Sequence, residues 1–142
     1  MIQMDKYAQA AIEATRLCTH GTYLSPRIAW DQATTHLFGA DTSGQKKGCP
    51  RDAFLGLCEE GLIKGIPKGI YCISVKNKRY AILALAHLQK NPDLSEQPRL
   101  LWDKVLKGEN KVHNSQMDVV IALWNSGFLV PMAATTRKKL SQ

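Results

Sequence analysis

No stretch of the chain is apolar for long enough to cross a bilayer. The longest run, 80–88, reaches only about half of the ~18–20 residues a span needs, and it carries His87. The N-terminus MIQMDKYAQA lacks both a basic lead and an apolar core, so no secretion signal is read there. Cys18, Cys49, Cys58 and Cys72 include no CxxC pair, and reduced thiols in a cytoplasm are the expectation. Cys18-Thr19-His20 is the one close Cys/His pair, and nothing completes a tetrahedral set, so no metal is expected. No paired carboxylates, GxSxG or dinucleotide fingerprint is present, and SGQKKG (43–48) has the wrong order for a P-loop. No cofactor is expected, and an enzyme is the less favoured reading.

What the chain does have is unevenly placed positive charge. Residues 46–79 hold Lys46, Lys47, Arg51, Lys64, Lys68, Lys76, Lys78 and Arg79 against Asp52, Glu59 and Glu60. Arg137, Lys138 and Lys139 add a basic tail, and the remainder is close to neutral. A basic block of this kind suits an anionic partner such as nucleic acid, and no membrane partner is expected.

The sequence also repeats itself. Lys6-Tyr7-Ala8 matches Arg79-Tyr80-Ala81, PRIAWD (26–31) matches PRLLWD (98–103), and DAFLGLCEEGLI (52–63) matches DVVIALWNSGFL (118–129). The blocks recur in order, in a chain with only three tryptophans, which chance does not readily supply. Each half reads as three helices. The first, 5–19, has Ala8, Ala11, Ile12, Thr15 and Cys18 on one face; its counterpart, 78–90, is apolar almost all round and expected to be the most buried. Ser25-Pro26 and Gln97-Pro98 open the second helices. The third helices start after Cys49-Pro50 and after Asn114-Ser115, where Ser115-x-x-Asp118 resembles a capping box. Gly61 and Gly127 close them as left-handed caps, each followed by an apolar residue.

The fold expectation is all-α: about six helices as two duplicated three-helix repeats, about 5–63 and 78–129, in one domain over 1–131. A mobile tail follows at 132–142. The β-branched stretch 62–74 is read as one short β-hairpin around Pro67-Lys68-Gly69. A winged helix-turn-helix has this order of elements, but the 39–50 connection is too long and the acids Asp52, Glu59 and Glu60 leave little to read bases with.

Positions that differ between the halves are freest to carry function, and the largest difference is the loop before each third helix. In the first half, Ser43, Gly44, Lys46, Lys47, Cys49 and Arg51 lead into a helix N-terminus, with Lys64 and Lys68 beyond; small residues, cations and free N–H groups are what an anion site needs. A cysteine at such an N-cap favours the thiolate, so Cys49 is a candidate nucleophile with His113 of the other loop as its base. Asn114 and Gln116 join the polar candidates because capping leaves His113 and Gln116 unexplained. The blocks QKKGCPRDAFLGLCEEGLIKGI and HNSQMDVVIALWNSG resemble a family of small bacterial proteins known only as a domain of unknown function. That resemblance covers most of the chain; it implies a bacterial, cytoplasmic protein and transfers no activity. The leading expectation is a non-enzymatic binder of phosphate, as nucleic acid, through this basic face. The alternatives are a small enzyme using Cys49 and a protein–protein adaptor.

Overall fold

The computed structural model describes residues 4–20 and 25–132, so the tail expectation lies, from residue 133 on, outside the described residues. Capping residues set the helix starts. α1 (Lys6–Thr19) begins behind Asp5, whose Oδ1 accepts from the N–H groups of Tyr7 (2.8 Å) and Ala8 (3.1 Å). α2 (Pro26–Phe38) begins behind Ser25, whose Oγ accepts from Ile28 at 3.3 Å, with Pro26 in the first position as expected. A four-residue turn, α3 (Ser43–Lys46), precedes α4 (Gly48–Glu59). α5 (Val75–Lys90) starts behind Ser74, earlier than the pattern of apolar residues placed it. A 3-10 turn (Pro92–Glu96) leads to α6 (Pro98–Leu106) and then α7 (Gln116–Asn125). The protein is all-α, and among the described residues no helix is long and apolar enough to cross a membrane.

α4 and α7 end alike. Gly61 and Gly127 take positive φ (70° and 74°), a backbone region that penalises any side chain. Leu62 N–H then reaches back to Leu57 C=O and Phe128 N–H to Leu123 C=O, both at 3.0 Å. The two exits meet: Lys64 N–H donates to Phe128 C=O and Val130 N–H to Leu62 C=O, each at 2.8 Å, around an isolated Ile63–Leu129 bridge. This contact replaces the expected hairpin at 62–74, and no strand or sheet is formed among the described residues. Pro67 has no N–H to give, Gly69 N–H donates to Glu59 C=O (3.4 Å), and the Tyr71 and Cys72 N–H groups go to the Glu59 carboxylate rather than to a partner strand.

α1 packs mainly on α2 and α7, and α4 on α5, so the halves interlock. Ala10, Ala11, Ala14, Ala29 and Ala33 are fully buried, and small side chains let helix axes approach. The α4–α5 crossing is closer still: a Cβ at Gly56 would lie 2.6 Å from Lys78 Cβ and 2.7 Å from its Cα. α4 buries eight of its twelve residues and α5 seven of sixteen, so α4 is the more enclosed helix, contrary to expectation. Aromatic side chains anchor the core: Trp30 stacks on Phe54 (5.3 Å), Tyr80 meets Trp102 edge-on (5.1 Å), and Tyr7 meets Phe38 (4.7 Å).

Candidate functional site

α4 starts two residues before the expected Pro50. Lys47 is its N-cap and Cys49 its second residue, so Cys49, half-buried, is not the cap. Among the described residues no side chain caps the start of α4, nor does Gln97 cap α6, whereas α1, α2, α3 and α5 are capped by Asp5, Ser25, Thr42 and Ser74. Lys46 is exposed, 3.8 Å from Asp41. Lys47 Nζ lies 5.6 Å over the Tyr7 ring. Arg51 Nη2 is 3.4 Å from Asp52 Oδ2, while its own Nε and Asp52 Oδ1 are buried without partners. Ser43 is exposed at the start of α3. Gly44 is held by packing: its C=O accepts from Tyr7 O–H (2.7 Å), and a Cβ there would sit 2.7 Å from the Phe38 ring. Lys64 and Lys68 are exposed beyond the other end of α4. With twelve residues in α4, a rise of ~1.5 Å each puts them about 18 Å from Lys47 along its axis.

The loop before α7 is closed by a different group. His113 Nε2 accepts from the Met117 N–H at 3.0 Å, which caps α7 from outside and assigns the ring proton to Nδ1. Ser115 does not cap: its φ is 66°, and its Oγ donates instead to Asp5 Oδ2 at 3.2 Å. The capping-box expectation therefore fails, because the left-handed backbone at Ser115 turns its hydroxyl away to α1. Burial lowers the His113 pKa; Asp118 and Asp5 offset this in part, and Lys47 lowers it further. Burial pushes the Asp118 carboxyl up, with Asp5 adding. The His113 ring packs against Trp102, centroids 5.1 Å apart. Gln116 is fully buried; its Oε1 accepts from Asn114 N–H (2.6 Å) and its Nε2 donates to Asn77 Oδ1 (3.1 Å), tying this loop to α5.

Both loops rest on the start of α1: Ser115 bonds the Asp5 cap, while the Gly44 C=O and Lys47 meet Tyr7. The structure does not give Cys49 a ready base, because the acceptor nitrogen of His113 is held by Met117. An open groove of about 580 Å³ beside α6 is lined by Arg99, Trp102, Lys111, His113 and Asp118. Asp103 and Glu109 also line it, so acids outnumber cations there and an anion is disfavoured.

Sequence reasoning missed Glu59. Its Oε1 accepts from Tyr71 N–H (2.9 Å) and Cys72 N–H (3.0 Å), and its Oε2 pairs with Lys78 at 2.6 Å. Burial raises its pKa, but the bonds from Lys78, Cys72 and Tyr71 outweigh that and hold it below the usual carboxylate range. Lys78 also reaches Glu60 at 2.6 Å, and Lys76 pairs with Glu109 at 3.1 Å. Such partners are joined across a linker, and no spacing rule announces them. Among the described residues Lys64, Lys68 and Arg79 have no ion pair. The thiol of Cys72, bonded to Asp52 C=O (3.5 Å) and Ser74 C=O (3.3 Å), is pushed up to about 11 by burial, then by Asp52 and Glu59.

No curated protein and no solved structure matches this chain. A family model does, over residues 4–130, and the chain belongs to that family, a family of unknown function, DUF6979.

Proposed function

We propose that the protein is a non-enzymatic helical binder of phosphate, in the form of a nucleic-acid backbone, acting in a bacterial cytoplasm. The observation that supports this reading is the start of α4, which has no side-chain cap and lies among Lys46, Lys47 and Arg51. Orphan N–H groups and the positive end of the helix dipole favour an anion there, and the lysines add charge. Lys64 and Lys68, beyond the far end of the same helix, provide a second contact. Two such contacts grip phosphates without reading bases, so binding is expected to be sequence-independent and salt-sensitive. The Cys49 nucleophile reading draws no comparable support, given the commitment of His113 to α7.

The test is fluorescence anisotropy with labelled duplex DNA and RNA across salt concentrations. The Lys46→Glu/Lys47→Glu variant should bind roughly tenfold more weakly or worse, with a shallower salt slope and an unchanged melting temperature. Unchanged affinity in that variant would sink the reading.

A further inference from the structure

The linker between α4 and α5 carries both an anchor and an exposed apolar stripe. Ile66 is buried, Gly69 N–H is tied to Glu59 C=O, and the Tyr71 and Cys72 N–H groups are tied to the Glu59 carboxylate. Arg27 Nη1 donates to Tyr71 C=O at 3.1 Å, and Cys72 Sγ to the Asp52 C=O, so the linker doubles back along α4. Between and beyond these ties the aliphatic side chains stand out: Ile70 is 96% exposed, Ile73 66% and Val75 79%. Single exposed aliphatics are ordinary, but three within six residues of an anchored segment are not. Residues 64–79 contain no acid, and the stripe is flanked by Lys64 and Lys68 on one side and Lys76 and Arg79 on the other. Lys64, Lys68 and Arg79 are unpaired among the described residues.

We propose that segment 64–79, the linker together with the first turn of α5, is an interfacial contact for an anionic lipid bilayer, with Ile70, Ile73 and Val75 entering the headgroup–acyl boundary and Lys64, Lys68 and Arg79 facing the lipid phosphates. This goes beyond the nucleic-acid reading and uses a different surface chemistry. A phosphate backbone satisfies cations but leaves aliphatic side chains in water; a lipid surface satisfies both. A second copy of the same stripe would set cation against cation. Stable attachment at a membrane surface takes two signals, and this linker supplies an apolar one and a basic one. Each unpaired cation contributes about fivefold to partitioning on an anionic surface.

The experiment is sedimentation of the full chain with vesicles of equal parts phosphatidylglycerol and phosphatidylcholine, against pure phosphatidylcholine. Binding is expected on the anionic vesicles alone, and Ile70→Ala/Ile73→Ala should weaken it at least roughly tenfold, since each removes about three buried carbons. Both positions are exposed, so the variant keeps its fold, checked by its melting curve. Absence of binding at low salt would overturn the proposal. So would binding that the aliphatic variant leaves intact while Lys64→Glu/Lys68→Glu abolishes it, because the contact would then be charge alone. If the aliphatic variant instead weakens duplex DNA binding and vesicles are ignored, the stripe belongs to nucleic acid. Failure of the nucleic-acid reading is separate, since Lys46→Glu/Lys47→Glu on DNA decides it.

Discussion

Two loops in this protein do the same topological job with different chemistry. One joins α2 to α4 and the other α6 to α7, and each is held by a tyrosine hydroxyl. Tyr7 O–H bonds the Gly44 C=O in one, and Tyr80 O–H bonds Glu109 Oε1 (3.1 Å) in the other. The second loop completes its helix from within: His113 caps α7, and Gln116 is fully buried in a bonded network with Asn114 and Asn77. The first leaves α4 without a side-chain cap and surrounds its start with cations. A helix end left open costs about 1 kcal/mol relative to a capped one. Where one half closes that end and the other leaves it open, the open one is the place to look for a ligand.

The largest effect that would sharpen this contrast comes from the helices the loops introduce. Gly56 of α4 occupies the place that Ala122 holds in α7 when the two blocks are aligned. Gly56→Ala drives a methyl group into the Lys78 backbone and should cost about 1–3 kcal/mol in urea denaturation. The reverse change, Ala122→Gly, should cost only about 0.5–1 kcal/mol, the ordinary penalty of glycine in a helix. Equal costs would mean that the α4–α5 crossing is not as tight as drawn.

Next in size is His113. His113→Ala removes the α7 cap and should lose about 0.5–2 kcal/mol, whereas Lys47→Ala, which removes no cap bond, should lose less. The same residue gives a pH dependence. Its folded pKa is lowered, chiefly by burial, so the unfolded chain binds the proton more readily. Its contribution is full above the ordinary imidazole value of about 6.5 and is lost as pH falls below it. His87, lowered by burial and then by Lys104, Lys90 and Lys107, pulls the same way. The difference between wild type and His113→Gln across that window therefore isolates His113. A wild-type curve no steeper than the variant's would remove His113 from the account.

The fold class was legible because its signals are local. Ser25-Pro26, Gly61 and Gly127 act within a few residues of themselves, and the alanine periodicity of α1 needs no distant partner. Apart from the early starts of α4 and α5, the failures involve partners further along the chain. The stretch 62–74 has strand-like composition, yet Glu59 captures its N–H groups, so no hairpin forms. Ser115 looked like a cap because the residue type and spacing were right; its left-handed backbone and the distant Asp5 were invisible. Lys78 belongs to the basic block 46–79 by sequence, but the structure places it between Glu59 and Glu60. Of the candidate site, the sequence displays the loop and its cations but not that Gly44 seats Phe38 or that Gln116 is a buried strut, because both depend on packing against distant elements.

The contrast between the two loops can be read at single backbone groups. Amide chemical shifts would be recorded by NMR while a short DNA duplex, and separately inorganic phosphate, is titrated in at low salt. The account predicts saturable shifts centred on the N–H groups of Gly48, Cys49 and Arg51, with those of Gln116 and Met117 unmoved. Shifts confined to the start of α7, or none at the start of α4 at any concentration, would contradict it.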